Sequence, residues 1–300
     1  MEMSIFAEMV CAAVRRELGK DYKVEVKKVR KNNGIFQEAL LISCQGQTVI
    51  PNIYLKRFWE AHESSMPLGA IVSRIVAIYR RDGLKDSIDM EFFRDYGAVR
   101  DRVCYRLIGR SGNEDLLENI PHMEFLDMAI CFYYAFHAEG LREGIITIFN
   151  SHMEMWGVCM EDLYKMAQAN TPRLLPWKRS TLQEAIDEAA GQDGYDISPD
   201  ETNIICRIPM WVLSNQTKFH GAACILYPSV LEGIAAGVGN LYILPSSVHE
   251  TILLKDDGRG CAGKLRQMVM EVNREQVAPE EVLTDSLYYY DLARKEIVMA

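Results

Sequence analysis

The stretch at residues 22–44, YKVEVKKVRKNNGIFQEALLISC, decides how this chain is to be read. Val24, Val26 and Val29 are interleaved with charges, Asn32-Asn33-Gly34 follows, and residues 35–44 resume an extended, apolar-rich pattern. Asparagine and glycine tolerate the left-handed backbone that a tight reversal requires, so the stretch predicts a β-hairpin. Upstream, Ile5, Phe6, Met9, Val10, Ala13, Val14 and Leu18 recur at helical spacing and predict an amphipathic helix. Downstream, residues 48–55 predict a third strand. The period then changes to three and four at Ile71, Ile75, Ile78 and Tyr79, and again at Phe92, Phe93, Tyr96, Val99, Val103 and Leu107. These predict helices, with breaks at Gly83 and Gly109. Strands and helices lie in separate runs, which is the α+β class.

At 300 residues the chain exceeds what one hydrophobic core comfortably serves, about 250 to 300 residues, so two domains are expected. Its formal charge of -9 is unevenly spread. Residues 1–112 hold 19 Lys+Arg and 14 Asp+Glu, a balance of +5, whereas residues 113–300 hold 14 and 28, a balance of -14. The sign changes beside the small polar stretch Arg110-Ser111-Gly112-Asn113. The expected division is therefore a small N-terminal helix-plus-antiparallel-hairpin domain, 1–112, followed by an acidic mixed α/β domain, 113–300. Within the second, strands are expected at 125–136 and 144–149, a helix at 161–170, and a connecting excursion at 171–202 with a helical insert at 181–190. Strands at 241–244 and 248–254, a helix at 262–273 and a terminal hairpin of 287–290 with 296–299 complete it. A strand-helix unit is also read as pseudo-repeated. Asn150, Trp156-Gly157 and Leu163-Tyr164 are echoed by Asn215, His220-Gly221 and Leu226-Tyr227.

Composition narrows the function classes. Hydrophobic residues at 49% and charged residues at 25% are those of a globular chain, not of a disordered or fibrous one. The basic cluster Lys27, Lys28, Arg30 and Lys31 has no interleaved aromatics, so it reads as the solvated face of a hairpin and not as a nucleic-acid surface. Successive cysteines lie 33, 60, 27, 28, 47, 18 and 37 residues apart, with no CxxC pair to close a zinc chelate. Cys11, Cys131 and Cys224 sit in apolar contexts and are expected as small buried hydrophobes of a reducing compartment. Glu2 and Glu8 stand where a secretory signal would be basic. The low-charge run 219–249 is broken by Pro228, Pro245 and four glycines, so no membrane span is expected and the compartment is read as cytoplasmic.

Two motifs invite chemistry. Residues 258–265, GRGCAGKL, fit GxxxxGK, but Leu265 stands where a P-loop needs Ser or Thr for its magnesium, and Asp256 and Asp257 would repel phosphate. A glycine-rich turn before a helix is the preferred reading, and no cofactor or metal is expected. The run Pro245-Ser246-Ser247-Val248-His249-Glu250 supplies candidate catalytic residues in Ser247, His249 and Glu250. Side chains two apart on one strand lie parallel and do not converge as a triad does, so a structural corner is favoured. Asn150, Asn215 and His220 are candidate binding residues. His122 after Pro121 reads as structural, and Met153, Met155 and Met160 around Trp156 read as core filling.

As a set, the residues resemble a known family. Asn150, Trp156-Gly157-Val158, Glu161, Leu163-Tyr164 and Ala167 carry the resemblance, followed by Asn215, His220-Gly221-Ala222-Ala223, Tyr227-Pro228 and Leu231. It continues through the tight segment 241–250, LYILPSSVHE, and through Val272-Asn273 to Pro279-Glu280-Glu281-Val282-Leu283. Together with Lys31-Asn32-Asn33-Gly34 and Ile53-Tyr54-Leu55 they resemble the domain-of-unknown-function family numbered 5688. The resemblance implies a clostridial Firmicute origin and a cytosolic setting, and it implies no activity. Thr284 departs from a commoner serine but keeps the hydroxyl. The expectation for function is a non-enzymatic cytosolic interaction or accessory protein whose acidic half meets a basic protein or peptide. The alternative is a hydrolase-like enzyme using the Pro-Ser-Ser-Val-His-Glu segment.

Overall fold

The structure, a computed structural model, describes residues 1–44, 50, 52–82, 90–138, 141–193, 210–260 and 262–300. The chain forms two compact units, Met1–Val99 with Ala135–Ile146, and Arg100–Tyr134 with Thr147–Ala300. The class is α+β, as expected.

In the first unit, helix α1 (Met3–Leu18) packs on an antiparallel sheet of β1 (Tyr22–Arg30), β2 (Phe36–Cys44) and β3 (Asn52–Tyr54). The hairpin register runs from Tyr22↔Cys44 to Arg30↔Phe36. Asn33 (φ 57) and Gly34 (φ 66) take the left-handed conformation, closed by the Lys31 N–H donating to Ile35 O at 2.7 Å. Leu55 N–H donates to Glu38 O at 2.9 Å, and residues 48, 49 and 51 of the expected third strand lie outside the described residues. Helices α2 (Lys56–Glu63), α3 (Leu68–Asp82) and α4 (Tyr96–Val99) follow. Phe6, Val10 and Val14 of α1 meet Val24, Leu40 and Ile42 of the sheet, with Ile71 and Ile75 of α3, in one apolar cluster. The expected break at Gly83 lies outside the described residues.

The second unit starts earlier than the charge pattern suggested. Val103 and Leu107 belong to strand β4 (Val103–Gly109) and not to a helix. Their spacing of four fits either period. A strand buried on both faces reads as a continuous apolar run with no alternation to betray it. β4 pairs with β6 (Met128–Ala138) from Val103↔Tyr134 to Gly109↔Met128, so residues 100–112 stand with the second unit. After α5 (Glu114–Leu117), β5 (His122–Phe125) pairs with the other edge of β6. The single strand expected at 125–136 is split by left-handed Leu126 (φ 56). β7 (Leu141–Thr147), which up to Ile146 belongs to the first unit, also pairs with β6, and residues 139–140, the expected turn, lie outside the described residues.

A six-stranded antiparallel sheet completes the second unit. Its strands are β8 (Trp177–Thr181), β9 (Met210–Asn215), β10 (Leu241–Pro245), β11 (Thr251–Lys255), β12 (Tyr288–Asp291) and β13 (Glu296–Met299), in the order β13-β12-β10-β11-β9-β8. Part of the expected excursion is thus an edge strand, β8, flanked by α7 (Met160–Leu174) and α8 (Leu182–Asp193). Residues 194–202 lie outside the described residues. The two echoed segments carry different elements. Asn150 opens α6 (Asn150–Trp156), which Gly157 ends in a left-handed C-cap, whereas Asn215 ends a strand and Gly221 begins a 3-10 helix, Gly221–Leu226. Helices α9 (Val230–Val238) and α10 (Ala262–Gln276) follow, and Leu265 and Val269 of α10 pack against Tyr242, Leu244, Leu254 and Leu287. In the β5–β6 turn, Asp127 accepts hydrogen bonds from Ser286 Oγ at 2.7 Å and from the Tyr288 hydroxyl at 2.5 Å.

Candidate functional site

A dense polar arrangement forms where β9 ends. Asn215 is completely buried. Its Nδ2 donates to Phe219 O at 2.7 Å, and its Oδ1 accepts from the Thr217 and Phe219 N–H groups and from the Thr217 hydroxyl at 3.1, 3.2 and 2.9 Å. One amide side chain therefore organises the whole 216–219 loop, satisfying backbone groups that burial would otherwise leave costly. The loop delivers His220 in the left-handed region (φ 52, ψ 32), uncommon for a residue other than glycine, and surrounding bonds hold it there.

Gly221 follows, and here only glycine fits. A Cβ would collide with Ser214 Oγ and the His249 carbonyl and lie 2.8 Å from Asn215 N. This close approach lets Ser214 Oγ donate to His249 O at 2.7 Å. The β10–β11 connection reaches the same spot. Ser247 Oγ accepts the His249 N–H at 3.0 Å, Ser247 N–H donates to Glu250 O at 3.2 Å, and Val248 N–H donates to Glu281 O at 2.8 Å. His249 Nδ1 accepts the His220 N–H at 3.3 Å, which places the His249 proton on Nε2, 3.8 Å from the Glu281 carboxylate. The His220 and His249 rings stack with centroids 5.8 Å apart and planes within 20°, and Phe219 lies 4.2 Å from His220.

Arg106, at the centre of β4, points its guanidinium into this stack. Its Nη1 is 3.4 Å from His220 Nε2, a long contact in which the arginine can only donate. Burial lowers the Arg106 pKa below the usual arginine value, and its electrostatic neighbours, Cys131 and Tyr133, oppose that shift. Burial likewise raises the Glu250 carboxyl above its ordinary range, with Lys218 and His249 pulling it back.

Of the sequence-expected residues, the structure gathers Asn215, His220 and His249 around one point, with Ser247 and Glu250 beside them on the chain. The Ser247 hydroxyl takes the backbone N–H of His249. Asn150 belongs elsewhere, its Nδ2 donating to Glu118 O and its N–H to Asn119 O, both at 3.0 Å. Sequence reasoning missed Ser214, Gly221 and Arg106. The signal for Arg106 was present, since it is the lone charge in the apolar run Val103-Cys104-Tyr105-Arg106-Leu107-Ile108.

Other candidates resolve locally. In the glycine-rich turn, Asp256 and Asp257 carboxylates accept the Gly258 and Arg259 N–H groups at 2.9 and 3.0 Å, taking donors that a phosphate cradle would use. Burial pushes the Cys131 and Cys224 thiols up to about 12, so they stay protonated hydrophobes. Among the described residues, no group of three or more His, Cys, Asp or Glu could hold a metal ion, and no helix is long and apolar enough to cross a membrane.

No curated protein and no solved structure matches the chain. The family of unknown function DUF5688 matches residues 3–292, nearly the full length, and the chain belongs to it.

Proposed function

We propose that the chain is a non-enzymatic cytoplasmic interaction protein whose second unit binds a basic, amphipathic protein segment. That unit carries 17 Lys+Arg against 27 Asp+Glu, a balance of -10, while the first unit is near neutral at +1. The observation that carries the reading is α10. Leu265, Val269 and Asn273 face inward, and on one outward flank Met268 and Val272, each 40% exposed, stand one turn apart beside the exposed Glu271 and Glu275. Single exposed apolar residues are ordinary, but an apolar pair at i, i+4 edged by carboxylates is complementary to a helix with one apolar and one basic face. Methionine adapts to varied apolar partners, and the carboxylates select positive charge and speed encounter. The hydrolase alternative has less support, because the Ser247 hydroxyl is committed to the backbone of His249 and not to its ring.

Calorimetric titration with a synthetic amphipathic Leu-Lys helical peptide tests the proposal. The expected result is saturable binding that weakens with salt, with the double variant Met268→Lys, Glu271→Lys binding at least about tenfold more weakly. A wild-type protein that does not bind at low salt, or a variant that binds equally well, overturns it.

A further inference from the structure

We propose that the guanidinium of Arg106 is the anchor of a small-oxyanion site, taking a carboxylate or phosphate group of a ligand against the stacked rings of His220 and His249. This site is separate from the α10 surface and does not depend on what binds there.

The inference rests on what Arg106 is given and what it is denied. An arginine carries five N–H donors in a rigid fork. Among the described residues Arg106 makes a single hydrogen bond, the 3.4 Å contact to His220 Nε2, and its buried Nε has no partner at all. Among the described residues its electrostatic neighbours are a thiol and a phenol, with no carboxylate among them. Carboxylates around the corner are turned to other groups: Glu281 lies 3.8 Å from His249 Nε2, Glu250 interacts with Lys218 and His249, and Glu188 pairs with Lys218 at 3.1 Å. A guanidinium withdrawn from water without a counter-ion is unfavourable unless an anion joins it.

The surroundings suit such a guest. The residue as a whole keeps partial exposure, and of its partnerless nitrogens only Nε is sealed, so the Nη2 end of the fork is the one a ligand would reach. In the contacts already described both imidazoles turn an acceptor nitrogen to a donor, His249 Nδ1 to the His220 N–H and His220 Nε2 to Arg106. Guanidinium binds carboxylate and phosphate alike through two parallel N–H···O bonds, which identifies the ligand by its oxyanion group. Nη2 and the second hydrogen of Nη1, at the open end of the fork, form one such pair of donors.

The test is a titration of the full chain with inorganic phosphate, and in a parallel series with acetate, at fixed ionic strength made up with chloride. The imidazole resonances of His220 and His249 and the melting temperature are followed. A saturable shift of His220 and His249 that leaves His62 still, with a rise in melting temperature lost in Arg106→Gln, supports the site; the series that produces it identifies the group. A drifting shift shared by all six histidines overturns it, as does no shift in either series or an equal response in Arg106→Gln. Should Arg106→Gln not fold, Arg106→Lys keeps the charge but loses the fork, and its saturation is expected at least about tenfold weaker. Unweakened saturation in Arg106→Lys rejects the bidentate anchor.

Discussion

Phe6, Leu40 and Ile71 in the first unit and Ser214, Asn215 and Gly221 in the second are all sealed from solvent, yet they are held by different forces. The first trio sits in an apolar cluster whose members could each be exchanged for another hydrophobe of similar volume at modest cost. The second trio is fixed by directed hydrogen bonds and by one missing Cβ, and none of its members has an equivalent substitute. A core defined by volume tolerates change gradually. A corner defined by donors and acceptors does not.

Substitutions can break this contrast. The largest loss is expected from Phe6→Ala, about 3–5 kcal/mol by denaturant melts, because a fully buried ring leaves a cavity among α1, the sheet and α3. The corner should remain native in that variant by its histidine resonances. Next is Gly221→Ala, expected to cost about 1–3 kcal/mol or more because the new methyl meets the His249 carbonyl, which is backbone and cannot swing away. The matched control is Gly233→Ala inside α9, where nothing lies within 4 Å and helix propensity favours alanine by up to about 1 kcal/mol. If both glycine variants behave alike, the corner is softer than its geometry shows.

The smallest effect sharpens the comparison through pH. Burial raises the folded pKa of Glu250 above its unfolded value. Stability linked to this group is therefore full below the unfolded carboxylate range and declines as pH rises through the folded pKa. Glu250→Gln should match the wild type at about pH 4 and be the more stable at about pH 7. A variant less stable than wild type at about pH 7 would mean that Lys218 and His249 outweigh the burial.

The same contrast explains what the sequence disclosed. The hairpin, α1, α3 and the terminal β12–β13 pair were legible because each has one apolar face and one wet one, and periodicity records that asymmetry. β4 was misread because both its faces are buried, so its pattern has no period to decide between four-residue helix spacing and strand alternation. Asn215, His220 and His249 were marked from sequence as polar residues at element ends. Their convergence was not visible, since it depends on a loop wound around one amide and on a strand connection that brings His249 to His220 across 29 residues. Arg106 was passed over because it is separated from His220 by 114 residues and carries no local motif.

The Asp127 contacts have a consequence for how the protein is made. Its two hydroxyl donors, Ser286 and Tyr288, leave the ribosome 159 and 161 residues after it, so at ordinary synthesis rates the turn waits on the order of ten seconds or more for its partners. Late in that interval, once β10 has been made, it lacks its neighbour β12 and exposes an unpaired strand edge. The nascent chain passes through a period of adhesiveness that ends only when β12 emerges, and it is in that period, not in the finished molecule, that a chaperone has most to protect.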